Sequence, residues 1–222
     1  MGIFKNIRYD IHAIMDRDPA ARNPVEVFFL YSGLHAIIYH RIASWFYRHH
    51  MKFLARFVSQ TARFFTGIEI HPAAKIGRGV FIDHGMGVVI GETSIVGDDC
   101  TIYQGATLGG TGKHQGKRHP TLGNNVMVGA GSKILGPFTV GDNVKIAAGA
   151  VVLDEVPADS TCAGVPARVV RQNNERICED LDQIHIPDPV SMEFCKLSMR
   201  MDELAKQLAA LKGKGDKKDE NI

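Results

Sequence analysis

From residue 70 to residue 152 the chain places a bulky aliphatic side chain at every sixth position. Ile70, Ile76, Ile82 and Val88 keep the step, and after a slip of two residues it resumes at Ile90, Val96, Ile102 and Leu108. A longer interruption follows, and the step returns at Leu122, Val128, Ile134, Val140, Ile146 and Val152. Glycine follows the aliphatic at positions 77, 91, 97, 109, 123, 129 and 141. A period of six fits neither the 3.6 of a helix nor the alternation of an isolated strand; it is the signature of a parallel β-helix in which each repeat forms one flat side. Three repeats then close one coil of about 18 residues.

The repeat divides the rest of the chain. Residues 1–67 read as an N-terminal α-helical domain: Ile3, Ile7, Ile11 and Ile14 share one helical face, Asp18-Pro19 and Asn23-Pro24 break the pattern, and Gly67 ends it. The stretch around Trp45, Phe46 and Phe53, rich in aromatics and histidines, reads as helix packing against the repeat domain. Residues 68–170 form the β-helix domain, with GGTGKHQGKRHP at 109–120 as a projecting loop, because no coil side is that polar. Such an insertion is where binding residues sit, since the scaffold holds both of its ends. Residues 171–222 form a C-terminal extension with a helix over about 189–211. Val190, Phe194, Leu197, Met201, Leu204, Leu208 and Leu211 recur there at heptad spacing. Such a seam serves either a short coiled coil between subunits or a helix laid in a groove of its own β-helix. The ending KGKGDKKDENI is charged and glycine-rich, the composition of a flexible tail.

Bulk properties remove several classes of function. A net charge of +2, with no Lys/Arg run interleaved with aromatics, argues against a nucleic-acid partner. Cys100, Cys162, Cys178 and Cys195 show no CxxC spacing and follow no secretory segment, which fits reduced thiols in a cytoplasmic protein. No apolar run approaches the roughly 18 residues of a membrane span. The Met1-Gly2 start has Asn6 where a myristoylation signal needs Ser or Thr, so no membrane anchor is expected.

Two stretches inside the repeat are too polar for plain coil sides: IEIHPAAKIG at 68–77 and FIDHGMGVVIGET at 81–93. Each sets a histidine beside a carboxylate. Glu69 and His84 are fifteen residues apart, a little under one coil, so neighbouring coils bring them within reach of one another. The same count carries the 109–120 loop, with Arg118 and His119, over that face. A carboxylate that holds an imidazole in one tautomer leaves its other nitrogen to take a proton, which is the basic unit of general-base catalysis.

DHGMGVVIGET, QGATLGGTGK, KRHP, GAGSKILG and AGVPARVV, in this order, resemble the serine acetyltransferase family, and the resemblance runs from about Asp18 to about Arg171. It implies a left-handed β-helix, an exception to the usual right-handed crossover. It implies transfer of acetyl from acetyl-CoA to the hydroxyl of L-serine, giving O-acetyl-L-serine and CoA, the first step of cysteine biosynthesis from serine. His84 would be the general base and Glu69 its orienting partner, standing where many members have aspartate. Arg118 would clasp the substrate carboxylate with His119 alongside near the hydroxyl. Asp83 and Asp18 would hold the ammonium group, which requires the helical domain to pack over the β-helix site; by itself Asp18 reads as a cap before Pro19. Gly110, Thr111, Ala130, Lys145 and Ala148 match positions implied in acetyl-CoA contact between adjacent β-helices. A thioester is already activated, so the chemistry needs no covalent nucleophile and no metal.

The resemblance further implies a homotrimer, with a dimer of trimers as the larger form; the short helical region favours the trimer. L-cysteine, a thiol analogue of serine, would inhibit at the serine site, and the terminal Ile222 would insert into the O-acetylserine sulfhydrylase that consumes the product. Three rivals share the scaffold. One is a hexapeptide-repeat acetyltransferase with a sugar or xenobiotic acceptor, against which Arg118 with Asp18 and Asp83 favours a zwitterion. Another is a zinc carbonic anhydrase, for which His71, His84, His114 and His119 are enough in number. The last is a non-catalytic scaffold, which needs no such charged set.

Overall fold

The computed structural model describes residues 3–112, 115–173 and 175–176, with Leu197, Arg200, Met201, Glu203 and Leu204 beyond them. The chain forms two compact units, Met1–Glu179 and Asp180–Ile222. In the second unit those five residues are helical, with Leu197, Met201 and Leu204 exposed. The rest of the helix expected over 189–211, and the tail with Ile222, lie outside the described residues.

The first unit opens with four helices: α1 (Ile3–Arg17), α2 (Pro24–Leu30), α3 (Ser32–Arg48) and α4 (Lys52–Thr66). Their ends follow local chemistry. Asn23 caps α2 by accepting the Glu26 backbone N–H at 2.9 Å, and Pro24 takes the first turn, where its missing N–H costs nothing. Gly67 closes α4 in the left-handed region, with φ 71°. None of the described helices is long and apolar enough to cross a membrane.

A β-solenoid of about five turns follows, built from very short strands. Its three sides each stack in parallel register. Side A holds β1 (Glu69–Ile70), β4 (Val89–Ile90), β7 (Thr107–Gly109), β10 (Lys133–Leu135) and β13 (Val151–Val152). Side B holds β2 (Lys75–Ile76), β5 (Ile95–Val96), β8 (Thr121–Leu122) and β11 (Thr139–Val140). Side C holds β3 (Phe81–Asp83), β6 (Thr101–Tyr103), β9 (Met127–Val128) and β12 (Lys145–Ile146), continued by β14 (Ser160–Gly164). An antiparallel end of β15 (Ala167–Gln172) and β16 (Glu175–Arg176) covers the last rung. The six-residue aliphatics point inward: Ile90, Ile102, Val128, Ile134, Val140 and Ile146 are each 0% exposed. Burial of each such side chain is worth roughly 1.5–3 kcal/mol, and it is this stack that holds the coils together. Cys100 and Cys162 are free, buried within it, and pushed up to about 11 by burial, so neither is a poised nucleophile.

The register locates both defects in the repeat. Lys133 pairs with Val151, eighteen residues on, whereas Glu69 pairs with Val89, twenty residues on. The two extra residues fall at the turn between β3 and β4, the turn that holds His84. Thr107 pairs with Lys133, so that coil is longer by eight, and the excess is the loop after β7.

The helices clamp the first coils. Ser59 of α4 donates to the Ile70 carbonyl at 2.9 Å, and Asp10 of α1 pairs with Arg41 while accepting the Gly79 N–H at 2.8 Å. Outward-facing Phe81 of β3 is only 3% exposed because Ile14, Val27 and Leu34 cover it. The aromatic stretch of α3 and α4 packs only in part: Phe53 is 85% and Trp45 43% exposed, whereas Phe46 is half-buried and the Tyr47 ring meets His71 of the repeat edge-on at 6.0 Å.

Candidate active site

Each coil turns three corners, and each corner has its own chemistry. The B/C corner is a ladder of short polar residues: Asn125 donates to Asn143 Oδ1 and Asn143 to Asp159 Oδ1, both at 2.9 Å. These residues adopt φ values of 54–58°, which Asn and Asp tolerate better than other side chains. The ladder is structural. The candidate site residues sit at the other two.

Asp83 and His84 occupy the C/A corner, in the turn lengthened by two residues. His84 has φ 56°, a left-handed backbone that costs a residue with a side chain about 1 kcal/mol. Its ring is 75% exposed, and its Nε2 lies 3.9 Å from Asp83 Oδ1. Below it the corner becomes a column. The N–H of Gly105 bonds to the Met86 carbonyl, that of Gly131 to Gln104 and that of Gly149 to Ala130, at 2.8–2.9 Å. Gly105, Gly131 and Gly149 all have φ 70°, and a Cβ on Gly131 or Gly149 would meet nothing within 4 Å. An uncrowded strip of backbone therefore runs below His84, with Ala130 and Ala148 beside it and Lys145 exposed on β12.

Glu69, one coil above on side A, is not within ion-pair distance of His84. Arg63 of α4 holds its carboxylate at 2.9 Å and Arg56 approaches to 3.9 Å. The expected direct Glu69–His84 pair is absent, because two cations from α4 compete for the carboxylate.

Arg118 and His119 sit at the A/B corner, where Lys117-Arg118-His119 lie against Gly91-Glu92-Thr93. The Thr93 hydroxyl accepts the backbone N–H groups of Arg118 and His119, both at 3.0 Å, and lies 2.9 Å from His119 Nδ1. The Thr93 N–H also donates to Nδ1 at 3.2 Å, so the ring proton belongs on Nε2. Burial, with Arg118 and Lys117 nearby, lowers the His119 pKa and keeps the imidazole neutral. His119 is 8% exposed and packs so tightly against Gly91 that no Cβ fits there; a Cβ on Gly110 would lie 3.1 Å from its Nε2. Glu92 holds the Arg118 guanidinium, and that hydrogen bond depresses the Glu92 carboxyl. Gly110 and Thr111 join this corner through the Thr111 N–H, which bonds to the Arg118 carbonyl at 3.2 Å. Lys113 and His114 lie outside the described residues.

One chain thus does not gather the set at a single face. Asp83, His84, Ala130 and Ala148 lie at the C/A corner, whereas Arg118, His119, Gly110 and Thr111 lie at the A/B corner, across side A. Asp18 is linked to the first group through Tyr31, whose hydroxyl donates to its Oδ2 at 2.7 Å and whose pKa is raised by burial, by Asp18 and by Asp83. Asp18 does not cap a helix: its Oδ1 accepts the Ala20 N–H at 2.8 Å in the turn after α1, and α2 takes Asn23 as its cap.

The family described as "Serine acetyltransferase, N-terminal" matches residues 1–38, and "Bacterial transferase hexapeptide (six repeats)" matches residues 119–154. The serine acetyltransferase of Bacillus pumilus is 54% identical over 211 residues, covering 95% of this chain and 97% of its own. The chain belongs to the serine acetyltransferase family. It is therefore an acyltransferase, which sets aside the scaffold and carbonic anhydrase readings. The crystal structure of serine acetyltransferase from Neisseria gonorrhoeae, solved also in complex with serine, superposes with a TM-score of 0.75 at 43% identity over 77% of this chain. The present chain spans 65% of that longer one. A serine acetyltransferase in complex with cysteine matches with a TM-score of 0.75 at 45% identity, over 76% of this chain and 70% of its own.

Three residues at this acyltransferase's corners escaped sequence reasoning. Glu92 and Thr93 end the motif stretch at 81–93, yet their partners lie 24–26 residues away across a loop. Tyr31 looks like one more aromatic in a helical stretch.

Proposed function

We propose that this acyltransferase is a serine O-acetyltransferase that moves acetyl from acetyl-CoA to the hydroxyl of L-serine, as a cytoplasmic enzyme of cysteine biosynthesis. His84 removes the hydroxyl proton as the serine oxygen attacks the thioester carbonyl. The tetrahedral intermediate then expels the CoA sulfur, which takes the proton back from His84, so nothing beyond the two substrates is consumed. Arg118, fixed by Glu92, offers its remaining N–H groups to the serine carboxylate, and the His119 Nε2–H faces the hydroxyl. Asp18 and Asp83 hold the ammonium.

The observation that carries this reading is the position of His84 at the head of the glycine column. A pantetheine arm is long and thin, and a strip of backbone groups at Ala130 and Ala148, with Lys145 exposed nearby for a phosphate, suits it. The division of the set between two corners favours a ring of three chains in which the C/A corner of one copy meets the A/B corner of the next. L-cysteine, with a thiol in place of the hydroxyl, competes at the serine site, and Ile222 docks into the sulfhydrylase that consumes the product.

The test is thiol release from acetyl-CoA with L-serine, repeated with a sugar acceptor and with added L-cysteine. Turnover with serine and its suppression by cysteine are expected; turnover with the sugar alone overturns the acceptor assignment. Sulfhydrylase binding by the full chain and by one lacking Ile222 tests the tail, and equal affinities reject it.

A further inference from the structure

Tyr31 links α2 to α3 with extended backbone, φ −90° and ψ 105°. Its hydroxyl donates to Asp18 Oδ2 at 2.7 Å, while the other Asp18 oxygen accepts the Ala20 N–H at 2.8 Å. Asp18 is thus held at both oxygens, and each keeps a lone pair for a further donor. The next two residues fasten the same segment to the C/A corner. Ser32 Oγ donates to the His84 carbonyl at 3.4 Å. Gly33 lies so close to the Ile82 carbonyl that any Cβ there would overlap it. The tripeptide Tyr31-Ser32-Gly33 therefore touches Asp18 at one end and the backbone on both sides of Asp83 at the other. The Tyr31 ring packs against the cluster of Ile14, Val27, Leu34 and Phe81, which fixes the direction of its hydroxyl. Burial, the hydrogen bond to Asp18 and the charges of Asp18, Glu26 and Asp83 raise the phenol to about 12, so it remains a donor.

We propose that Tyr31 is a positioning residue for the acceptor's ammonium group: it carries the Asp18 carboxylate from the helical cap to the corner that holds Asp83 and His84. This rests on the reading of Asp18 and Asp83 as the ammonium-binding pair. A hydroxyl donating to a carboxylate is a charge-assisted hydrogen bond, stronger than a neutral one and shorter. Without it Asp18 keeps only its local turn, and the ammonium loses a partner fixed in direction.

Tyr31→Phe removes the hydroxyl and keeps the ring in its apolar cluster, so the fold is retained. Steady-state kinetics of this variant should show KM for L-serine raised about tenfold, with KM for acetyl-CoA unchanged and kcat within about twofold. Asp18→Asn should raise KM for serine as well. The double variant should be no worse than Asp18→Asn alone, since both changes remove one arrangement. An unchanged serine KM in Tyr31→Phe, equal losses for both substrates, or effects that multiply in the double variant would each overturn the proposal while leaving the serine assignment standing. A wild-type enzyme inert toward L-serine overturns both. If Tyr31→Phe melts early, Asp18→Asn with Tyr31 intact still decides: a serine KM equal to wild type rejects the role.

Discussion

The A/B and C/A corners carry the two halves of the proposed site and are built in opposite ways. At the A/B corner a single hydroxyl, that of Thr93, serves the loop N–H groups and the His119 ring, Glu92 clamps Arg118, and Lys117 ties the loop to the Thr93 carbonyl at 2.8 Å. At the C/A corner the base candidate stands 75% exposed on a left-handed backbone, above an uncrowded glycine strip. The A/B half of the proposed site is therefore finished within one chain, in the sense that its donors are already oriented by their own contacts. The base half is left open, as a surface must be if a long substrate and a second chain are to close over it.

The largest effect should come from the open corner. His84→Ala should lower turnover by about 10²–10⁴, while its circular dichroism and thermal melting stay near wild type; near-normal activity would remove His84 from the mechanism. The division between corners predicts complementation. Inactive His84→Ala and Arg118→Ala chains, refolded together, should regain about a quarter of wild-type activity, because about one site in four then draws an intact corner from each parent. No regain would mean that each site is made by one chain. Smaller is the expected effect at the finished corner. Thr93→Val keeps the shape but removes the hydroxyl, leaving buried N–H groups unmatched at a cost of about 1–3 kcal/mol. The serine kcat/KM should drop about tenfold or more, and Thr93→Ser should restore it.

The smallest effect on activity is expected at His40, which belongs to neither corner. It is 6% exposed and its Nδ1 has no hydrogen-bond partner. Burial, aided by Arg41, lowers its pKa from 6.5 to about 4. The unfolded chain takes up a proton in this interval that the folded chain refuses. Stability from this group is therefore complete above about pH 6.5 and lost as the pH falls toward about 4, by on the order of 3 kcal/mol. His40→Gln should flatten the fall in melting temperature over that range and leave neutral-pH turnover intact.

Much of this contrast could be read from residue spacing. The six-residue aliphatics gave the coils, and the slip beside Asp83-His84 and the loop before Arg118-His119 marked both irregular corners. Spacing counts coils but not sides. Fifteen residues is near one coil, but whether Arg118 shares a corner with His84 depends on which of three sides each follows: Ile82 is a side C residue, whereas Gly91, against which His119 packs, follows side A. The partners of Glu69 were not legible at all. Arg56 and Arg63 belong to a helix whose placement over β1 depends on packing, and their charge redirects a carboxylate that spacing alone assigns to His84. Thr93 and Tyr31 escaped for the same reason, since a hydroxyl's role is set by what the fold brings to it.

The column of Gly105, Gly131 and Gly149 has a metric consequence. Successive rungs of a parallel sheet are about 4.8 Å apart, so for an arm bound as proposed the solenoid would work as a ruler, with the distance from its acyl end to its far end counted in whole coils. Removing one regular coil of eighteen residues from its lower part would shorten the ruler by one graduation and leave its zero mark, the histidine, where it stands.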